Sequence, residues 1–427
     1  MNILLPTIGS AGDVYPMIAL GRMLQQRGHR VTIVTNPLHQ QTILHAGLHF
    51  HPLGTRVEAE ELLANPDVWH PRRGFETIAR GAILPAMRLL YEFIAGQDSS
   101  DMVIGAQTMA LGARLAQEKL GVPLATIHLQ PSLLRSVYDP PINGVAIPTW
   151  LPRPLKRGWW AMVDSLVIDR VLATDLNAFR AELGLPPVKR PFHEWLHSPQ
   201  RVLGLFPDWF APPQPDWPSQ TRLTGFPLYD AGEGSPLPAD LQRFLAVGDP
   251  PLVFTFGSAM RHGDELFRVA IAATKQRAQR AVLLTRDRSQ LPATLPPTIH
   301  HEPYVPLGDL LPHTALLVHH GGIGTVAQGL AAGIPQLVMP LSHDQPDNAR
   351  RLERLGVGLS LSSSRLGPAA VSSAIDSLLS SSEIKARCED LARRVDARQA
   401  REAAASFIEQ LARSPSPANV AHRTAIL

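Results

Sequence analysis

The chain has 427 residues, 44% of them hydrophobic and 18% charged, with a net charge of +3. That length and balance fit two or three globular domains with sizeable cores, and give no electrostatic footprint for nucleic acid. The single cysteine, Cys388, excludes an intramolecular disulfide and a thiolate zinc cluster.

The first element lies in MNILLPTIGSAGD. It has no basic leader region and no long apolar run, so it reads as a buried strand over 2–6 and a glycine turn, not a signal peptide. A helix from Val14 to Arg27 follows, then a strand RVTIVT at 30–35. β-branched runs return at 102–105, 123–129 and 201–206, the last strand expected of this half, with helical patterns between them. That alternation predicts βαβ units and a parallel sheet. Residues 207–238 are crowded with proline and aspartate and read as a linker. The alternation then restarts with strands at 251–256, 281–285, 315–320 and 335–340. Periodicity predicts a helical stretch from Glu383 to Arg413, and the tail SPSPANVAHRTAIL reads as loose. No run of about 18 uncharged apolar residues occurs, so no membrane span is expected.

The expected fold is therefore α/β, with two Rossmann-like domains facing across a cleft. Their bounds are 1–215 and 239–395, joined by a linker over 216–238. A helix at 396–413 is expected to return to the first domain, ahead of the tail at 414–427. Ligands of open parallel sheets sit beyond the carboxyl ends of the strands, so both glycine turns should face the cleft.

In HHGGIGT (319–325), Gly321, Gly322 and Gly324 permit close backbone approach. Thr325 opens a helix whose unpaired N–H groups favour an anion. His320 and the Thr325 hydroxyl can donate to phosphate oxygens. The set reads better as a diphosphate cradle than as a packing turn, and Ser258 in FTFGSAM adds a donor. In SHDQPDN (342–348), Asp344 and Gln345 suit sugar hydroxyls and suit a helix cap equally. In EPYVPL, Tyr304, followed by Val305, offers a flat ring to a base or a side chain to the core.

IGSAGDVYP (8–16) lacks the GxGxxG spacing, and the second strand ends in VTNP without a ribose-binding acid. Both absences argue against NAD. Asp13 would repel a pyrophosphate at that helix start. It serves either as a helix cap, the simpler reading of the turn alone, or as a base whose pKa the helix dipole lowers. His313, His319, His320 and His343 lack the carboxylate spacing of a metal motif, so no metal is expected.

GSAGDVYPMIALGRMLQQRGHRVTIVT, with LVHHGGIGTVAQGLAAGIPQLVMPLSHDQPDNARRLERLGVG, resembles the GT-B glycosyltransferases that use nucleotide sugars, across nearly the whole chain. Within that family, LHSPQRVLGLFPDWFAPPQPDWPSQTRLTGFPLYD is most similar to the rhamnosyltransferase of rhamnolipid assembly. The resemblance implies Asp13 as general base and His320, Gly322, Gly324 and Thr325 as the diphosphate site. It implies Tyr304 as the base-stacking ring, and Asp344 and Gln345 as the donor-sugar pair. Gln328 stands where many members carry a ribose-binding glutamate. A deoxyribose donor such as dTDP-L-rhamnose would lose less from that change. The implied reaction is inverting, with the nucleotide sugar as co-substrate and neither cofactor nor metal.

The acceptor is expected to be lipophilic, first a 3-hydroxyalkanoyloxy-alkanoate. The helical stretch 74–96 would line its channel or simply pack the core. The stretch 151–172, with cations beside Trp159 and Trp160, is a solvated edge or a surface for anionic membranes. A cytoplasmic enzyme in weak contact with the inner membrane face is the expectation, with no nucleic-acid partner. The alternatives are a UDP-glucose-dependent glucosyltransferase acting on a sterol, polyketide or flavonoid, and a non-catalytic nucleotide-sugar-binding partner protein.

Overall fold

The computed structural model describes residues 1–142, 146–193, 195–232 and 234–413. The tail expected at 414–427 lies outside the described residues. The strands are β1 (Asn2–Pro6), β2 (Arg30–Thr35), β3 (His49–Pro52), β4 (Met102–Gln107), β5 (Leu124–His128), β6 (Arg201–Gly204), β7 (Thr221–Leu223), β8 (Leu252–Thr255), β9 (Ala281–Leu284), β10 (Ile299–Glu302), β11 (Leu316–His319), β12 (Gln336–Val338) and β13 (Gly358–Ser360). They form two parallel sheets, ordered β3-β2-β1-β4-β5-β6-β7 and β10-β9-β8-β11-β12-β13. The molecule is α/β with two such sheets. β4 and β5 are buried along their whole length, because helices cover both faces of a parallel sheet.

Separate apolar clusters cover the faces of each sheet. One of them is continuous between the domains. It runs from Leu5 and Val14 through Ile323 and Val326 to Ile408.

Several boundaries differ from the sequence expectation. The first helix spans Ala11–Gln26, one turn earlier than expected, because Asp13 turns back to accept from the Ser10 N–H. RVLGLF is not the last strand of the first sheet. β7 pairs beyond it, Val202 with Thr221 through Gly204 with Leu223, inside the stretch read as linker. A three-residue edge strand tolerates prolines on either side. The C-terminal stretch is two helices, Ser382–Arg394 and Ala397–Glu409. They part at Asp396, whose carboxylate caps the second by accepting from the Gln399 N–H at 2.8 Å. That second helix lies on the first sheet. Arg27 donates to Glu409 at 3.0 Å and to Ser406 at 2.9 Å, and Ile408 packs close to Gly105 of β4.

Polar contacts also join the domains. Asp139 faces three arginines of the helix Gln345–Leu355: Arg354 at 2.9 Å, and Arg350 and Arg351 at 3.5 Å each. The Ile142 N–H donates to the buried Asp347 at 3.1 Å.

Candidate active site

The turn after β1 is shaped around one carboxylate. Gly9 has φ +144, and a Cβ built there would stand 2.1 Å from Asp13 Oδ2, so only glycine leaves room for that side chain. The Asp13 carboxylate accepts from the Ser10 N–H at 2.9 Å and lies 3.4 Å from the Ser10 hydroxyl. It also lines the main cleft. Ser10 is the N-cap, and Asp13 closes a capping box from the third helical position while its carboxylate lines the cleft. Burial raises its pKa to about 6, outweighing the lowering by the Ser10 hydrogen bonds. The expected lowering by the helix dipole is overturned, because desolvation disfavours the charged form more strongly.

On the facing side, β11 ends in the paired histidines. His319 is buried and its Nδ1 accepts from the Gly321 N–H at 3.1 Å. The His320 ring packs against two glycines: a Cβ on Gly257 would meet it at 2.9 Å, and one on Gly322 at 2.7 Å. Burial lowers the His320 pKa to about 4, so the ring is neutral and offers one N–H. Its Nδ1 is buried without a protein hydrogen bond. Gly322 caps the helix Ile323–Ala332. That helix start meets the first helix of the other domain, since a Cβ on Gly324 would lie 4.0 Å from Gly12 Cα.

The turn after β12 supplies two more groups. Asp344 stands at the N-cap position of the helix Gln345–Leu355, but its carboxylate accepts from Asn348 Nδ2 at 2.7 Å and not from a backbone N–H of the first turn. Burial first, then the negative charge of Asp13, raises its pKa to about 7. The two carboxylates are therefore electrostatically coupled across the cleft. Gln345 Oε1 is occupied by the N–H groups of Leu341 and Ser342, at 2.8 and 3.1 Å. Only its NH2 remains to be offered to a ligand.

The cleft has a volume of about 1490 Å³, and Asp13, Ser258, His320, Thr325, Asp344 and Gln345 all line it, as do Gly322 and Gly324. An adjoining pocket of about 160 Å³ is lined by Tyr304, Val305 and Gln328, and shares Ser258, Gly324 and Thr325 with the cleft. Every residue that the resemblance implies for the site, together with Ser258 and Val305, thus lines one connected space, whereas Gly321, His313 and His319 do not line it. Among the described residues, no group of three or more His, Cys, Asp or Glu side chains could hold a metal ion.

Sequence reasoning missed four residues here. Arg286 lines both spaces, its guanidinium 5.3 Å from the Tyr304 ring centroid. The cationic run TRDR after β9 was the available signal. Tyr15 and Asp230 line the smaller pocket. Trp69 reaches from the first domain to stand edge-on to His320 and His343, at 6.4 and 5.9 Å. Next to it, His343 Nε2 donates to the Val68 carbonyl at 2.8 Å. No local pattern announces such long-range contacts.

The cleft extends into the first domain between two π-helical segments, Ala79–Ile83 and Asp164–Ala173. Phe75, Ile78, Leu133, Val163 and Ile168 supply apolar lining there. The 74–96 stretch lines this end of the cleft through Phe75 and Ile78, while Met87, Leu90 and Ile94 point into the core. Trp159 and Trp160 line the cleft, so this pair is not the outward-facing one a membrane surface would need. The exposed apolar side chains nearby include Trp150, Leu155, Met162, Leu166 and Val167. Among the described residues, no helix is long and apolar enough to cross a membrane.

Residues 3–139 match the family model described as glycosyltransferase family 28 N-terminal domain, and residues 273–394 match that described as erythromycin biosynthesis protein CIII-like, C-terminal domain. O-mycaminosyltylonolide 6-deoxyallosyltransferase of Streptomyces fradiae is 28% identical over 98% of this chain and 99% of its own length. Glycosyltransferase GtfC of Amycolatopsis orientalis is 31% identical over 84% of this chain and 86% of its own. Sterol 3-beta-glucosyltransferase UGT80A2 of Arabidopsis thaliana is 28% identical over 84% of this chain and 57% of its own. Among solved structures, the glycotransferase of kitacinnamycin superposes with a TM-score of 0.75 at 21% identity, covering 96% of this chain and 98% of its own. The spinosyn rhamnosyltransferase SpnG gives 0.65 at 22% identity, covering 92% and 96%.

Proposed function

The chain belongs to the nucleotide-sugar glycosyltransferases of GT-B fold, and on that premise we propose that it moves a 6-deoxyhexose, with inversion, onto a hydroxyl of a lipophilic acceptor. One observation carries the mechanism. Asp13 and the His320–Thr325 turn line a single cleft, and the two helix starts that bear them touch at Gly12 and Gly324.

In the proposed reaction, Asp13 takes the proton of the acceptor hydroxyl as its oxygen attacks C1 of the sugar. The bond from C1 to the β-phosphate oxygen breaks, and the nucleoside diphosphate leaves. Its growing negative charge meets the free N–H groups of the helix Ile323–Ala332, the hydroxyls of Thr325 and Ser258, and the neutral His320 ring. Asp344 and the NH2 of Gln345 hold the sugar. Tyr304 and Val305 receive the base, and Gln328 the pentose.

The donor best supported is dTDP-L-rhamnose. The Streptomyces fradiae relative is named for a 6-deoxyhexose, and Gln328 in place of an acid suits a deoxyribose. The acceptor best supported is a 3-hydroxyalkanoyloxy-alkanoate, whose acyl chains suit the apolar end of the cleft, as in rhamnolipid assembly. A second reading, UDP-glucose transfer to a sterol, polyketide or flavonoid, draws on the sterol glucosyltransferase relative. Exposed Leu155 and Met162 beside Arg153 and Arg157 support weak peripheral membrane contact. Failure to float with anionic liposomes would remove that element.

Transfer assays with dTDP-L-rhamnose beside UDP-glucose, read by mass spectrometry of the product, separate the two donors. Asp13→Ala is expected to lower kcat by about 10²–10⁴, the usual worth of a general base, with donor affinity unchanged. Full turnover in that variant would remove Asp13 from the chemistry. Donor binding by the wild-type chain with no transfer from either nucleotide sugar would favour the remaining alternative, a non-catalytic nucleotide-sugar-binding partner.

A further inference from the structure

We propose that Asp230, on the hinge between the domains, is part of the pentose-binding site and accepts a hydrogen bond from the 3′-hydroxyl of the donor nucleotide. The assignment rests on the nucleotide-sugar reading above. A base against Tyr304 and a diphosphate at the start of the helix Ile323–Ala332 leave the pentose between them, beside Gln328. The hinge places a carboxylate at that spot. Asp230 Oδ2 accepts from Gln328 Nε2 at 2.9 Å and from the Gly308 N–H at 2.8 Å, and Asp230 and Gln328 both line the small pocket.

The fit is close. A Cβ on Gly308 would already stand 3.2 Å from Asp230 Oδ2. The neighbouring hinge residues Phe226, Pro227, Leu228 and Tyr229 line the same pocket, so the hinge forms one of its walls. Tyr304, whose pKa is raised chiefly by burial, also feels the Asp230 charge.

The chemistry suits a sugar hydroxyl. A carboxylate is purely an acceptor, and its hydrogen bonds are charge-assisted. Its bond to the NH2 of Gln328 also fixes the orientation of that carboxamide. Pentose recognition is then shared between the second domain and the hinge, and a bound nucleotide ties the two together.

Calorimetric titration of the full chain tests this, using dTDP and UDP, each beside its 3′-deoxy counterpart. The wild-type chain is expected to bind the preferred nucleotide about tenfold or more tightly than its 3′-deoxy form, the worth of one hydrogen bond to a charged group. Asp230→Ala is expected to bind both forms alike, at the wild-type affinity for the 3′-deoxy nucleotide. Asp230→Asn keeps the shape and guards against misfolding, and it should shrink the ratio. A wild-type ratio retained in both variants, or no discrimination by the wild type, overturns the assignment and leaves Asp230 as a structural staple of the hinge. Failure of the wild type to bind any of the four nucleotides would overturn the nucleotide reading itself, and this assignment with it.

Discussion

The two cleft carboxylates behave unlike surface aspartates. Asp13 works as a base only when ionised, and burial raises its pKa to about 6. The rate constant kcat/KM should therefore fall roughly tenfold per pH unit below about pH 6 and level off above it, as measured on the free enzyme. Asp344 is raised to about 7, in part by the charge of Asp13. Asp13 ionises first and the coupling falls on Asp344, which still holds its proton over most of the range in which Asp13 titrates. Asp344→Asn mimics that protonated acid and should leave the acid limb near pH 6, apart from any loss of donor affinity. A limb displaced to lower pH would show that Asp344 ionises before Asp13. His320 titrates in the opposite sense. With its pKa lowered to about 4, it stays neutral across this range and adds no limb of its own.

At the scale of elements, the strand–turn–helix unit from β1 into the helix Ala11–Gln26 is built around Gly9. In Gly9→Ala the new methyl would occupy the place of the Asp13 carboxylate, at a φ that L-residues rarely adopt. The expected outcome is a loss of about 1–3 kcal/mol of stability and a fall in kcat, with nucleotide affinity retained because the diphosphate turn lies in the other domain. Denaturant melts and calorimetry read the two effects separately. Elements of this kind were largely legible in the sequence. β1, β2, β5, β6, β8, β9, β11 and β12 all fall inside expected runs, and β4 runs two residues past its own, because inner strands of a parallel sheet are apolar on both faces. The outer strands β3, β7, β10 and β13 were not seen. Each has only three or four residues, several of them part-exposed or polar, so neither a long apolar run nor a clean alternation marks them.

For the molecule as a whole, the relation of the domains depends on contacts far apart in sequence. Asp139 holds Arg350, Arg351 and Arg354 from across the interface. Asp139→Ala should cost about 2 kcal/mol, since the partly buried arginines lose a shared counter-ion. It should also speed proteolysis within the hinge. An unchanged melting temperature and cleavage rate would show that the continuous apolar core alone sets the interface. The sequence by itself determined the local chemistry: an acid at one helix start, glycines and histidines at another, an acid–amide pair at a third. Each is decided within about ten residues, because a strand, its turn and its helix cap are local structures. Only the tertiary structure decided that these turns share one cleft, and that burial raises Asp13 where the helix dipole alone would lower it. It alone brought Asp230 to Gln328, 98 positions away, and Val68 to His343, 275 positions away. Desolvation and charge coupling depend on which distant segments pack against a group, and no local pattern carries that information.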